Sequence, residues 1–553
     1  MNIDWTKYYR YDEIRDILNG LASEHPDLAK VYSIGKSGEG RDLLMIEITN
    51  QATGEGSTKP GVYMDGNTHA GEVTGSACCL YTAWYLLSNY ASDERVKGLV
   101  DTRVWYILPR ITVDGSEVYL TTPEMLRSAP RMYPEPEEKD GLYPADVNGD
   151  GMILMMRVPD PNGEWKISDK DPRQMVKRAP NESGGQYYRI YGEGLVRNQD
   201  GELKHAPRKW GLDFNRNYPG NWALQHRQAG AGRYPFSEPE VRAVGQFYLS
   251  HPNIVTGMAF HTSGGCLLRP FATMGDDKMP RLDLAAYKAI GELGTKVTGY
   301  PTWGVWDGFT ADKNGAYPVG SDLEWVYEHL GVLAWETELW DIQSRAGIPK
   351  RTYAQQHNLS DKEREEDELK LLAWNDQELG GKGFINWTPF DHPTFGKVEI
   401  GGWNPKFVRQ NPPPHLLPDE VERANAFSLI RGETTPLLRI KETGVEDLGG
   451  GLYRVTAWAQ NQGYLPTNVT EMALRVKQAK PVVAELSGEG IEFVMGKAKE
   501  DIGHIEGRAS GGYVPARTEK RVQWVIKAKP GTCITVAVSS PRAGRDSRQV
   551  TLA

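Results

Sequence analysis

The segment Gly66-Asn-Thr-His69-Ala-Gly-Glu72 sets an imidazole and a carboxylate three residues apart in a turn, between a short apolar strand and an apolar helix. Both side chains of such a pair can reach one cation, and loops at strand ends are where layered α/β folds place their sites. A solvated loop pair would share the spacing, so a third donor matters. His261 offers one: it ends the apolar run 254–260 and precedes the tight turn Thr-Ser-Gly-Gly. Two imidazoles, one carboxylate and an open position make a catalytic zinc set. Taken alone, His261 also fits a satisfied histidine at a strand end. The run Glu336-Thr-Glu338 lies between Trp335 and Leu339-Trp340. Period two turns both carboxylates to one face, and buried carboxylates are costly unless paired or functional. A general base beside a metal is one reading, and an edge strand with a solvated face is the other. In Asp213-Phe-Asn-Arg-Asn217, the adjacent Asn215 and Arg216 could fork onto a carboxylate. A turn with a surface arginine would look the same.

The elements around these residues read as a layered α/β core. Apolar spacing predicts a helix over 11–25, strands over 42–49, 61–64 and 103–108, and an apolar helix over 73–88. Residues 121–210 are rich in Pro, Gly, Asp and Arg and read as a long insertion folded over the scaffold. Regularity returns with Ser237-Glu-Pro-Glu240, a capping box opening a helix to 249. A strand over 254–260, helices over 281–298 and 321–330, and a strand over 331–339 follow. Alternating strands and helices argue a mixed central sheet between helices, with residues 1–388 as the catalytic unit. Prolines around Asn411-Pro-Pro-Pro414 suggest a linker over 389–428. From 429 to 553, short period-two segments separated by Gly/Pro/Asn turns predict an all-β sandwich.

A chain of 553 residues has room for two to four domains, and 39% hydrophobic with 25% charged residues is globular usage. The net charge of −9, without a Lys/Arg-rich run, argues against nucleic acid as a partner. Four cysteines with no CxxC spacing indicate neither a thiolate zinc site nor a disulfide framework. No apolar stretch reaches the length of a membrane span, and no apolar leader opens the chain. The expectation is a cytoplasmic protein, or a secreted one if a leader has been removed.

Taken in order, His69-x-x-Glu72, Asp213-x-Asn-Arg-Asn217, His261 and Thr337-Glu338-Leu339 resemble the zinc metallocarboxypeptidases of the carboxypeptidase A type. The opening YYRYDEIRDIL and HPDLAKVYSIGKSGEGRDLLMIEI is similar to that family's first helix and strand, so the likeness spans about residues 8–342. The resemblance implies one Zn²⁺ held by His69, Glu72 and His261. It implies that Glu338 polarises the attacking water and passes a proton to the leaving amine. Asn215 and Arg216 would grip the free C-terminal carboxylate of a peptide, and Tyr317 would cap the site. Arg127 would stabilise the oxyanion, with Arg131 as its nearby competitor. Departures from the family are Gly71 where many members carry Arg, Ile111-Thr-Val-Asp-Gly115 for Asn-Pro-Asp-Gly, and Gly264 where some carry Tyr.

Glu336 shares a face with Glu338 and should line the pocket for the last side chain, near Asp322 and Glu324. An acidic pocket would favour Lys or Arg, unless Glu336 pairs with a protein arginine such as Arg269. Within the insertion, Asp146, Asn148 and Asp150 alternate as in the first half of a calcium loop, but position twelve is Arg157, and a plain Asx-turn fits too. The expected function is removal of C-terminal residues from peptides. An amidase on cell-wall stem peptides or N-acyl amino acids, and a non-catalytic binding protein, are the other readings.

Overall fold

The computed structural model describes residues 1–134, 139–197, 203–310, 313 and 317–553. An eight-stranded mixed sheet forms the middle of the molecule. In chain order its strands are β1 (Ala29–Lys36), β2 (Asp42–Ile48), β3 (Gly61–Gly66), β4 (Val104–Leu108), β5 (Ile254–Thr262), β6 (Cys266–Arg269), β7 (Thr302–Gly304) and β8 (Leu333–Leu339). They lie side by side as β1-β2-β4-β3-β5-β8-β6-β7. The centre, β4-β3-β5-β8, is parallel, and β6 runs antiparallel to β8.

Burial explains the sequence of the central strands. Every residue of β3, β4 and β5 is buried, so these strands are mostly apolar rather than alternating, with the polar Asp65, His261 and Thr262 near the C-terminal ends of β3 and β5. One face packs on the helices Tyr11–Glu24, Thr74–Asn89, Arg281–Thr298 and Leu417–Thr434, through Leu18, Cys78, Cys79, Ile290 and Phe427. The other packs on Pro239–Ser250 and Asp322–Leu330, through Val244, Phe247, Leu323 and Val326. The layered α/β core matches the expectation. The predicted capping box at Ser237 does not form: Glu238 is the N-cap residue without a side-chain cap, and Glu240 binds Arg131 instead.

The 121–210 insertion contributes strands Met155–Pro159, Trp165–Ile167, Met175–Lys177 and Tyr188–Gly192 to a separate six-stranded sheet. Its remaining two strands are Phe384–His392, which crosses the expected start of the linker at 389, and Gly396–Trp403, which lies within the expected linker. Buried Leu142, Leu154, Met156, Val398 and Ile400 fill its core. The 389–428 reading is therefore corrected. These residues hold most of a hairpin, the short helical segments Pro405–Gln410 and Pro414–Leu416, and most of the helix Leu417–Thr434, which packs against the sheet-covering helices. Pro418 sits in the first turn of that helix, where its missing N–H costs nothing.

In the Asp146–Asp150 loop the Asp146 carboxylate accepts the backbone N–H groups of Gly149, Asp150 and Gly151. Those oxygens face inward onto amides, as in an Asx-turn, and calcium is not supported.

The C-terminal part is a pair of four-stranded antiparallel sheets. One contains Leu438–Gly449, Leu452–Asn461, Glu492–Met495 and Glu519–Lys527. The other contains Val483–Gly488, Lys499–Asp501, Cys533–Ser540 and Gly544–Thr551. Burial alternates strictly along Leu452–Asn461, the signature of a strand with one face inside. Trp524 is buried between the sheets with Leu486 and Val536.

Candidate metal centre

β3 ends at Gly66 and the chain turns at once into the helix Thr74–Asn89. A Cβ on Gly66 would lie 2.5 Å from the backbone of Gly75, so the turn needs glycine there. Asn67 adopts a positive φ of 57°, and its side-chain N–H groups reach the carbonyls of His69 and Ala70. This ties the loop so that His69 and Glu72 face one point. On the neighbouring strand His261 stands directly beside Glu338 of β8.

The donors converge. His69 Nδ1 lies 2.8 Å from Glu72 Oε1, His261 Nδ1 lies 3.0 Å from Glu72 Oε2, and the two Nδ1 atoms are 3.2 Å apart. Ligands about 2.0–2.1 Å from a tetrahedral zinc are separated by about 3.4 Å, so this spacing fits Zn²⁺ after small adjustments. All three residues are buried. Burial alone would depress the His261 imidazolium, but the hydrogen bond and charge of Glu72 push its pKa up to about 10. Burial alone would raise the Glu72 carboxyl, but the two histidines hold it well below the usual carboxylate range. The site therefore demands a positive charge at its centre, as a cation site does. Among the described residues the same three side chains form a candidate metal group, and His261, Asp322 and Glu336 form a second.

Asp213 was not given a role by the sequence reading, although it opens the Asp-Phe-Asn-Arg motif. Its carboxylate accepts from His69 Nε2 at 3.0 Å, Arg127 Nε at 2.9 Å and the Asn215 amide at 2.9 Å. Burial works to raise its pKa, yet Arg127 and His69 hold it well below normal. It thus fixes the ring of His69 with Nδ1 facing the metal point.

Arg127 also reaches Glu72 Oε1 at 3.3 Å and keeps 34% of its side chain exposed toward the cleft. Its competitor Arg131 is committed elsewhere, to Glu238 and Glu240. Glu338 is the one residue of β8 that is not fully buried. Its surroundings, together with the Glu72 charge, push its carboxyl up to about 8.

Asn215 donates to Glu336 Oε1 at 2.8 Å and accepts the Asp322 amide at 3.0 Å. Arg216 donates to the Asn215 carbonyl and forms no carboxylate ion pair among the described residues. Arg269 pairs with Asp276, so the alternative of a Glu336–Arg269 pair is not realised. Asp65, Asp322, Glu324 and Glu336 gather without a lysine or arginine ion pair among the described residues. Burial pushes Asp65 up to about 7, and burial with the Glu336 charge drives Asp322 well above its usual value. Tyr317 is not joined to the metal point by any described contact; its ring meets Trp306 and the Arg227 guanidinium.

A buried site of two histidines and a glutamate on a mixed α/β sheet, with a carboxylate on the adjacent strand, defines a metal-dependent hydrolase class of centre. The family model of zinc carboxypeptidases matches residues 14–365, more than half of the chain, and the protein belongs to that family. A second model, of a domain of unknown function, matches residues 437–551. Carboxypeptidase B of Astacus astacus is 29% identical over 165 residues, covering 30% of this chain and 46% of that protein. Human carboxypeptidase A6 is 23% identical over 340 residues, 60% of each chain. The match thus spans less than half the length of the first of these relatives. A solved carboxypeptidase A from Helicoverpa armigera covers 68% of this chain and 76% of its own, at 17% identity and a TM-score of 0.39.

Proposed function

We propose that the chain is a zinc-dependent carboxypeptidase that hydrolyses the last peptide bond of substrates with a free C-terminal carboxylate, preferring C-terminal Lys or Arg. The observation that carries the first part is the convergence of His69, Glu72 and His261 beside Glu338. Zinc bound by these three side chains would supply a Lewis acid and lower the pKa of water. Glu338 then takes the proton of the attacking water and hands it to the leaving amine. Arg127, held by Asp213 and Glu72, offers its exposed edge to the developing oxyanion. Arg216 receives the substrate carboxylate, and Asn215 holds Glu336 and the Asp322 amide at the pocket wall.

The preference rests on Asp65, Asp322, Glu324 and Glu336, four acidic groups with no lysine or arginine ion pair among the described residues; the base beside them is His261, 3.8 Å from Glu336. A basic side chain relieves that cost, whereas an apolar one leaves buried polar groups unpaired. The test is hydrolysis of peptides that differ only in a C-terminal Lys, Phe or Glu, with and without a zinc chelator. The expected result is chelator-sensitive cleavage, fastest for Lys. Faster release of Phe removes the basic preference, and hydrolysis that survives zinc removal rejects the activity itself.

A further inference from the structure

A cleft of about 530 Å³ opens from Glu72 and Arg127, a size typical of ligand sites. Asn215, Arg216, Asp322 and Glu336 do not line it, so it is separate from the pocket for the last side chain. Its walls come from residues 262–266, 340–356 and 405–410 with Trp303 and Phe309, and the segment 405–410 lies beyond the residues matched by the family. Residues 405–410 stand over Gly71, where a Cβ would meet the Gln410 amide at 2.5 Å.

Four residues lining this cleft carry a buried side-chain atom with no hydrogen-bond partner: Thr262 Oγ1, Gln356 Oε1, Arg409 Nη1 and Gln410 Oε1. Among the other cations of the cleft, Lys350 is paired with Asp341, Arg351 with Asp367, and Arg127 with Asp213 and Glu72. Arg409 has no ion pair among the described residues; its guanidinium lies 5.7 Å from the Trp403 ring centre. Unpaired polar groups in a part-buried cleft carry a desolvation cost that a matching ligand removes. Two primary amides match peptide N–H and C=O groups, and a planar guanidinium matches a carboxylate.

We infer that this cleft holds the acyl side of the substrate and selects peptides with an aspartate or glutamate one or two residues before the scissile bond, Arg409 being the specificity-determining residue. The inference rests on the peptidase reading, because only that reading makes the cleft beside Glu72 the place of the peptide chain. The acidic pocket takes a basic end, and the cleft takes an acidic residue just upstream.

The test is calorimetric binding of peptides to the zinc-loaded full chain. Each peptide carries a methyleneamine isostere at the scissile position and Glu, Gln or Lys at either of the two upstream positions. The Glu peptide is expected to bind about tenfold tighter than its Gln counterpart, and the Lys peptide weaker than both. In Arg409→Gln the Glu-to-Gln ratio is expected to fall to about one. Equal binding of the Glu and Gln peptides by the unaltered chain overturns the inference, as does a ratio that persists in the variant. The first comparison needs no variant and so stands even if Arg409→Gln folds poorly. Binding is read without turnover, so loss of the proposed activity would show separately, as failure to cleave the natural-bond peptides.

Discussion

Asp213 joins three parts of the centre: the ring of His69, the guanidinium of Arg127 and the amide of Asn215. Partners of a metal-ligating imidazole of this kind typically contribute about 10–100-fold in metal affinity. Asp213→Asn should therefore weaken zinc binding by about that factor, measured by competition with a chromogenic chelator; unchanged affinity would take Asp213 out of this role. Glu338→Gln should lower kcat/KM by about 10²–10⁴-fold with zinc content intact, the span of general-base contributions. His69, Glu72, His261 and Glu338 stood out in the sequence by spacing and strand position. Those local signals also fitted a solvated loop pair, a strand-end histidine and an edge strand, and it was the order of the motifs, through the family resemblance, that joined them as one proposed centre. His69 and Glu72 share one turn, and His261 and Glu338 each sit on an apolar strand. Asp213 was legible only as part of a motif. Arg409 and Gln410 were not, since their meaning depends on a fold-back over Gly71 that no periodicity announces.

The segment 405–411 shows how an element gains its role from contacts. Asn411 is fully buried; its carbonyl oxygen accepts from the Thr74 N–H and hydroxyl, and its amide donates to the carbonyls of Gly71 and Lys406. It anchors the proline-rich stretch to the metal loop. Asn411→Ala should cost about 1–3 kcal/mol and lower the calorimetric melting point, since it strands several buried partners. Prolines at 412–414 read as a linker in sequence because composition reports stiffness and not docking. The helix Asp322–Leu330 carries Asp322 and Glu324 in its first turn, where the helix dipole favours anions. Burial outweighs that effect for Glu324, whose carboxyl is pushed up to about 8 by burial and by Glu328. Its folded pKa exceeds the unfolded one of about 4.3, so the folded state holds a proton that the unfolded state releases between those values. Stability from this group is present below pH 4 and is lost as pH rises to about 8. Glu324→Gln should flatten the fall in melting temperature across pH 5–8; an unchanged slope would contradict the assignment.

At the scale of the molecule, the sandwich is bound to the catalytic unit at the end of that same helix. The buried Arg542 donates to the carbonyls of Leu330 and Gly331, Thr470 donates to Gly331, and Asp283 accepts the amides of Glu471 and Met472. Arg542→Ala should lower the melting point of the catalytic unit by the loss of about 1–3 kcal/mol, as its removal strands the Leu330 carbonyl and leaves Gly331 with Thr470 alone. A shift confined to the sandwich would show that the contact does not stabilise the catalytic side. Two architectures were visible in the sequence, because one alternates strands with helices and the other repeats period-two strands between turns. Their joint was not, because a carbonyl at a helix end recruits an arginine more than two hundred residues away. The most direct measurement of the whole account is zinc K-edge absorption with metal quantification on the purified chain. It should give one zinc per chain in a nitrogen and oxygen shell containing two imidazoles, with His261→Ala losing the metal. A chain that takes up no zinc, or a His261→Ala variant that binds it equally well, would contradict the account.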